Sequence, residues 1–269
     1  MRIAFQGEMG AYSEETAFKY FGNSIVTIPC KDLKKVFNEV EKRKADYGIV
    51  PAENSIEGSI IQTYDLLLEH NLHIIGEVIQ RIVHCLIASK SSNLRSIKTV
   101  YSHPQALGQC RDFLDKSKCE VMPTYDTAGS VKMIKERKLK YVAAIASELS
   151  AKIYDMKILA KGIEGNRNFT RFFIIGKNET KPTGNDKTSL ALVIKHIPGS
   201  LASALKLFAS EKINLTHIQS RPLLGKPWEY TFYIDYEGHK DDEHFKKALN
   251  NLNKVSLFVK VLGSYPKVK

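Results

Sequence analysis

The chain has 269 residues, of which 43% are hydrophobic and 26% charged, and its formal net charge is +11. That length accommodates one large domain and one small one, each able to bury its own core. No apolar run approaches the length of a bilayer span, and the four cysteines form no CxxC pair, which argues against a helical membrane protein, a disulfide framework and a zinc site.

A first strand is predicted at Arg2–Gln6, and the opening MRIAFQGE reads as that strand and not as a signal peptide. A glycine-bearing loop and a helix near Glu14–Phe21 follow. Leu33, Val36, Phe37 and Val40 recur at helical spacing. Tyr47–Val50 is a buried strand, and Ile60, Ile61, Tyr64, Leu67 and Leu68 mark the next helix. Ile74–Ala88 reads as one or two strands. Leu107, Cys110 and Leu114 place one helix after Pro104, which suits a first-turn proline. Helices at Thr127–Arg137 and Ala146–Tyr154 flank a strand at Tyr141–Ile145, and Phe172–Gly176 is the last strand of this region. Alternating strands and helices imply an α/β domain with helices on both sheet faces.

Lys177–Lys187 is polar, carries Pro182 and Gly184, and reads as a linker. Beyond it come strand Ser189–Ile194, helix Ser200–Lys212, strands Leu215–Ser220 and Glu229–Tyr236, helix Asp241–Asn253 and strand Leu257–Tyr265. That order is βαββαβ, the ferredoxin-like split unit. Leu201, Leu205 and Phe208 should face its sheet from the first helix, and Phe245, Leu249 and Leu252 from the second. The lysines are scattered among acids, as in DLKKVFNEVEKRK, so the positive balance reads as solvated surface and not as a nucleic-acid-binding stripe.

Four stretches of the first domain put small polar residues where a strand should pass into a helix. They are GEMGAYSE (Gly7–Glu14), PAENSIEGS (Pro51–Ser59), SHPQALGQC (Ser102–Cys110) and DTAGS (Asp126–Ser130). Ser13, Ser55 and Thr127 would each sit near a helix N-terminus, where free N–H groups and the helix dipole favour an anion. One such junction is an ordinary cap; four in one domain point to a carboxylate-binding cleft. A fifth stretch, NRNFTRFF (Asn166–Phe173), enters a strand on which Thr170 and Phe172 share one face and Arg171 takes the other. Taken alone, it is a β-branched strand residue beside a surface arginine.

Together the stretches GAYS, P(x)ENSxxGS, SHPQALxQC and N(x)TRF resemble the prephenate dehydratase family, in its order and at its spacing. PGSL, INLTHIQSRP and EYTFYID then resemble that family's C-terminal ACT domain, so the resemblance spans roughly residues 1–266. It implies a two-lobed catalytic domain like the type II periplasmic binding proteins at 1–178. Lobe one would be about 1–76 and 161–178, and lobe two about 77–160. An ACT domain of the ferredoxin-like βαββαβ kind would occupy 188–266. It implies a cytoplasmic enzyme that turns prephenate into phenylpyruvate without metal or organic cofactor, and a homodimer or homotetramer that L-phenylalanine regulates.

The family's leaving-group donor falls on Thr170. Substrate contacts fall on Ser13, on Asn54 and Ser55, on Ser102 and Gln105, on Thr127 and Ala128, and on Asn168, Arg171 and Phe172. Effector contacts fall on Gly199, Ser200 and Leu201, on Asn214, Leu215 and Thr216, and on Gln219, Ser220 and Arg221. Three positions depart from the family pattern. Gln219 stands where a glutamate is usual, GSLA replaces GALV, and Asp126 replaces a serine and would cap its helix. His84 and Cys85 read as core, His103 as a loop-orienting residue, and Trp228, beside Pro227, as a surface or interface anchor. The other readings are an arogenate dehydratase and a non-catalytic sensor with a binding-protein-like cleft; a sensor would need no donor at Thr170.

Overall fold

The computed structural model describes residues 1–165, 167–223 and 229–268. In chain order the first strands and helices are β1 (Arg2–Gln6), α1 (Tyr12–Phe21), β2 (Val26–Cys30), α2 (Leu33–Glu41), β3 (Tyr47–Asn54), β4 (Gly58–Ser59), α3 (Ile61–Glu69) and β5 (His73–Ile82). Next come β6 (Cys85–Ala88), β7 (Thr99–Ser102), α4 (Pro104–Gln109), α5 (Arg111–Ser117), β8 (Glu120–Pro123), α6 (Thr127–Glu136), β9 (Val142–Ala146), α7 (Glu148–Ile153), β10 (Lys157–Lys161) and β11 (Asn168–Gly176). The last are β12 (Asp186–Ile194), α8 (Ser200–Ser210), β13 (Leu215–Pro222), β14 (Tyr230–Glu237), α9 (Glu243–Val255) and β15 (Ser256–Pro266).

These strands form three sheets. The first has the order β2-β1-β3-β11-β5, with β4 paired to β3. The second runs β10-β6-β9-β7-β8, and the third β13-β14-β12-β15. The third is wholly antiparallel, and with α8 and α9 it makes the expected βαββαβ unit. Strands β2, β8 and β10 escaped the sequence reading because each is an edge strand with few buried positions and no clean alternation. The single helix expected after Pro104 is two, broken at Cys110, whose φ of −102° and ψ of 15° leave the helical region. Leu107, Cys110 and Leu114 are nevertheless all buried in one hydrophobic cluster with Leu86, Val100 and Ile145 of the second sheet. On α8 the buried face is turned one residue from expectation: Ala204 and Phe208 are buried, Leu201 and Leu207 pack beside them, and Leu205 lies outside that cluster.

By contacts the chain forms two compact units. One is Met1–Val36 with Ile49–Gly58 and Ile79–Phe172; the other is Phe37–Gly48 with Ser59–Val78 and Phe173–Lys269. The second unit therefore takes in α3 and most of β5 along with the C-terminal sheet. Every residue of β12 is buried, because α8 and α9 cover one face of its sheet and α3 and β5 approach the other. Tyr64 of α3 stacks on His217 of β13 at 5.8 Å and lies 4.9 Å from the Tyr233 ring. Asp65 accepts hydrogen bonds from Tyr233 Oη (3.0 Å) and Arg221 (3.2 Å). Lys187 of β12 makes a buried ion pair with Glu77 of β5 at 3.2 Å. Lys260 of β15 donates to the carbonyls of Leu67, Leu68 and His70 at 2.9–3.2 Å, which caps the C-terminal end of α3, and burial holds its ammonium pKa below the ordinary value.

Gly263 of β15 shows how close that approach is. A Cβ there would stand 2.7 Å from the backbone nitrogen of Ile74 and closer still to its carbonyl oxygen. A backbone neighbour cannot turn aside as a side chain can. Gly263→Ala is therefore expected to destabilise the protein by about 1–3 kcal/mol or more. Gly108→Ala, within α4 with nothing inside 4 Å of the added methyl, should leave stability unchanged or raise it by about 0.4–1 kcal/mol. Denaturant unfolding of both variants checks the contrast; equal midpoints would refute the close approach.

Candidate active site

The site is assembled around one buried amide. Asn54 ends β3, and its Oδ1 accepts hydrogen bonds from the backbone N–H groups of Ile56 (3.0 Å) and Glu57 (3.1 Å). Those two donors fix which end of the amide is oxygen. The Nδ2 end therefore points at β11, where it donates to Asn168 Oδ1 (2.7 Å), the Phe169 carbonyl (3.2 Å) and Thr170 Oγ1 (2.9 Å). Ser55 adds two backbone-level ties to the same strand: its N–H donates to the Phe169 carbonyl (2.8 Å), and its Oγ accepts from the Phe169 N–H (3.0 Å). Ser55 thus sits in a turn between β3 and β4, with α3 beginning only at Ile61. The expected strand-to-helix junction is absent here, because β3 continues through Asn54 and Gly58, at φ +82°, turns the chain back into β4.

The relay continues beyond β11. Asn168 Nδ2 donates to Gln109 Oε1 (2.7 Å), which lies 2.9 Å from His84 Nε2. His84 Nδ1 lies 2.8 Å from Tyr12 Oη, the tyrosine of GAYS. That loop is held by Gly10 at φ +91°, where a Cβ would meet the Ser150 backbone at 2.7 Å. The Gly10 carbonyl accepts from Ser147 Oγ (2.5 Å) and Ser150 Oγ (2.8 Å), and its N–H donates to buried Glu14 (2.5 Å). Nearby, Glu8 accepts from Lys132 of α6 (2.9 Å) and from Tyr125 Oη (3.3 Å) just before that helix.

The other expected contacts are distributed as follows. Ser13 is buried in the first turn of α1. Thr127 is the first residue of α6 and Ala128 the second, behind Asp126, whose carboxylate caps the helix by accepting from Gly129 N–H (2.6 Å). Ser102 is fully buried at the end of β7, and its hydroxyl donates to the Ile145 carbonyl (2.6 Å), a tie to β9. Gln105 is exposed on α4, and its N–H donates to His103 Nδ1 (3.3 Å), so His103 caps its helix. Phe172 is buried beside Thr170 on β11. Arg171 is no surface arginine: it is 9% exposed and lies 3.9 Å from Glu53. Asn166 and Trp228 lie outside the described residues. Sequence reasoning assigned no role to Tyr12 or Gln109, although both stand inside the quoted stretches, and it read His84 as packing alone.

Burial shifts several titratable groups toward their neutral forms. It pushes the Cys85 thiol up to about 11 and Cys110 to about 12, so neither is a thiolate nucleophile at neutral pH. Burial raises the Tyr12 phenol well above its usual value and lowers His84. It also raises the carboxyl of Asp126, against the lowering effect of the Gly129 hydrogen bond. Among the described residues no group of three His, Cys, Asp or Glu side chains is gathered as metal ligands, and no helix is long and apolar enough to cross a membrane. Asn54, Asn168, Thr170 and Gln109 orient neutral hydrogen-bonding groups; none can transfer a formal charge.

In the C-terminal sheet, a hollow of about 470 Å³ is lined by Ile194–Ala202 together with Tyr230 and Phe232. Gly199 caps α8 in the left-handed region (φ +83°), and Ser200 and Leu201 open the helix. Asn214 instead hydrogen-bonds Glu237 (3.0 Å), and Thr216 Oγ1 the Asp235 carbonyl (3.4 Å). Gln219 Nε2 donates to the Ser220 carbonyl (2.9 Å). None of Asn214, Leu215, Thr216, Gln219, Ser220 or Arg221 lines the hollow; Leu215–Arg221 belong to the edge strand β13.

The chain matches the prephenate dehydratase family over residues 3–180 and the ACT domain over residues 188–254. It is 42% identical over 271 residues to a bifunctional chorismate mutase/prephenate dehydratase of Aquifex aeolicus, covering 99% of this chain and 74% of that one. It is also 42% identical over 278 residues to the chloroplastic arogenate dehydratase/prephenate dehydratase 2 of Arabidopsis thaliana, covering 99% and 73%. Among solved structures, a prephenate dehydratase from Arthrobacter aurescens in complex with L-Phe superposes with a TM-score of 0.91 at 32% identity, covering 99% and 90%. A quorum-quenching acylase, GqqA, superposes at 0.92 with 31% identity, covering 100% and 98%.

Asn54→Asp tests the site's geometry. The aspartate keeps an oxygen for the Ile56 and Glu57 amides, but it replaces the donor facing Thr170 with an acceptor and draws the threonine hydrogen inward. It is expected to lower kcat by about 10²–10³, the effect of losing one aimed donor. Steady-state kinetics beside a thermal melt will show this; a folded variant with wild-type turnover would contradict it.

Proposed function

The chain belongs to the prephenate dehydratase family, and we propose that it performs that family's reaction with Thr170 as the donor to the leaving hydroxyl. Prephenate loses its ring carboxylate as carbon dioxide, and the electrons of that C–C bond enter the ring. The ring C–O bond breaks, and its oxygen leaves as hydroxide, which becomes water on taking a proton. The product is phenylpyruvate. Aromatisation drives the step, so the protein must grip two carboxylates, exclude water and assist the departing oxygen.

One observation carries the assignment of Thr170. Its Oγ1 accepts a hydrogen bond from the Asn54 amide, whose orientation is fixed by two backbone N–H groups. The hydroxyl hydrogen is thereby left to donate to substrate, and an accepted hydrogen bond makes it a better donor. Threonine is too weak an acid to deliver a proton outright; its role is stabilisation of charge developing on the leaving oxygen. The first-turn amides of α6 at Thr127 and Ala128, with Ser13 of α1, serve the carboxylates. Arg171, buried beside Glu53, braces β11. Arogenate differs from prephenate by an ammonium in place of the keto group, and it is the alternative substrate.

The effector reading rests on the α8 N-terminus. Gly199, Ser200 and Leu201 present backbone N–H groups at the mouth of an apolar hollow, which suits the carboxylate and ring of L-phenylalanine. Strand β13, at the sheet edge, brings Asn214, Gln219 and their neighbours to a second subunit of a cytoplasmic homodimer or homotetramer.

Two measurements test these roles. Thr170→Ala is expected to lower kcat by about 10²–10⁴ with the fold retained, and Thr170→Ser to lose less because the hydroxyl persists. Formation of phenylpyruvate, followed by its absorbance in base, reports both; wild-type turnover by a folded alanine variant would refute the role. Calorimetric titration with L-phenylalanine should show binding to the wild type and roughly fivefold tighter binding to Gln219→Glu, whose carboxylate gives up the donation to the Ser220 carbonyl but offers the effector's ammonium a charged acceptor. If neither protein binds, the effector role is wrong.

A further inference from the structure

His84 lies between β5 and β6, 2% exposed and held by both its backbone and its ring. Its N–H donates to Glu164 (2.8 Å), and its carbonyl accepts from Gly162 (2.9 Å) and Ile163 (3.3 Å). The ring stands edge-on to Tyr12, with centroids 5.5 Å apart at 79°. These contacts leave the imidazole little freedom to turn.

The direction of every hydrogen bond along the relay follows from its far end. The Ile56 and Glu57 amides make the near atom of Asn54 an oxygen, so its Nδ2 faces Asn168. Asn168 must meet that donor with Oδ1 and so turns Nδ2 toward Gln109. Gln109 must meet it with Oε1, and the same Oε1 faces His84 Nε2. His84 must then carry its proton on Nε2, which leaves Nδ1 as an acceptor for the Tyr12 hydroxyl, a group that also lies 3.0 Å from the Val83 carbonyl. Burial, which disfavours the imidazolium, agrees with this neutral tautomer. One atom is left over: Gln109 Nε2 is buried and has no acceptor among the described residues. A buried donor without an acceptor is costly, and one whose amide is gripped by its oxygen from two sides cannot flip to escape.

We propose that His84 is a positioning residue of the active site, which donates Nε2–H to Gln109 Oε1 and so holds Gln109 Nε2 as a donor for an oxygen of the bound substrate. Without His84 the glutamine amide has one grip instead of two and loses its fixed aim. Tyr12 stands behind it, with its hydroxyl within hydrogen-bond distance of both Nδ1 (2.8 Å) and the Val83 carbonyl (3.0 Å). The imidazole touches no substrate; its effect passes through Gln109.

This rests on the dehydratase reading, which wild-type turnover of prephenate tests by itself before any variant is made. A double-mutant cycle then tests His84. His84→Leu is expected to lower kcat/KM for prephenate by about 10–100-fold, with a thermal midpoint that shows it folded. His84→Gln should recover to within about threefold of wild type, because its amide can donate to Gln109 and accept from Tyr12. In a Gln109→Leu background, His84→Leu should cost no more than about threefold further. Multiplying losses in the double variant, or a His84→Gln variant as poor as His84→Leu, would overturn the proposal and leave His84 a packing residue. Should His84→Leu fail to fold, Tyr12→Phe replaces it in the cycle. Its loss, expected at about 3–10-fold, must likewise vanish once Gln109 is leucine; if it persists there, the proposal fails.

Discussion

The site depends on the fixed polarity of the Asn54 side chain. A carboxamide has one accepting and one donating end, and only its surroundings decide which end faces which way. Here two consecutive backbone N–H groups of the following turn claim the oxygen. Everything downstream inherits that choice: the acceptor role of Thr170, the facing of Asn168, the facing of Gln109 and the tautomer of His84. Asn54 is 3% exposed, so water cannot substitute for any of these partners. A network with every member's direction settled specifies one arrangement, whereas a looser one would populate several. This is how neutral groups of modest polarity can be aimed well enough to matter to a bond-breaking step.

The same economy of charge marks the second unit. Lys260 places an ammonium on the carbonyls that end α3, and Lys187 meets Glu77 in a buried pair. Asp65 joins α3 to both β13 and β14 through Arg221 and Tyr233. His217 of β13 also lies 3.0 Å, Nε2 to Oγ, from Ser59, which belongs to the short strand following Asn54 and Ser55. Within this unit, α3, Ser59 and the edge strand β13 are thus connected by side-chain hydrogen bonds as well as by chain continuity.

Periodicity made the helices legible. Leu33, Val36, Phe37 and Val40 repeat on one face and are all buried, and Phe245 and Leu252 of α9 behave likewise. Most central strands were legible from their apolar runs, though the four-residue β7 was not. Edge strands divided: β13 and β15 were legible, while β8 is exposed at every position and takes its identity only from pairing with β7. The candidate site was half legible. The stretches that build it stand out as small polar residues near strand ends, but the bonds between them do not. Asn54 meets Thr170 across 116 positions, and His84 meets Tyr12 across 72 and Gln109 across 25. A histidine inside IVHCLIAS looks like core because it is core; its hydrogen bonds come from elements that no local pattern connects. Ser102 shows the converse, since its place in a conspicuous stretch suggested a ligand contact while its hydroxyl ties β7 to β9.

The buried cysteines give the protein a built-in reporter of its own breathing. Cys30, Cys85 and Cys110 are buried, and Cys119 is half-buried. Alkylation of Cys85 or Cys110 at neutral pH requires two coincident events: the segment must open, and the thiol must ionise, which its folded surroundings oppose. Once a segment opens, the thiol regains its ordinary acidity and reacts. The rate at which each sulfur is trapped therefore measures how often its neighbourhood opens. Cys30 reports on β2 at the edge of the first sheet. Cys85 reports on β6 inside the second, and Cys110 on the break between α4 and α5. Three clocks, distributed by the fold itself, can thus be read on an unmodified chain.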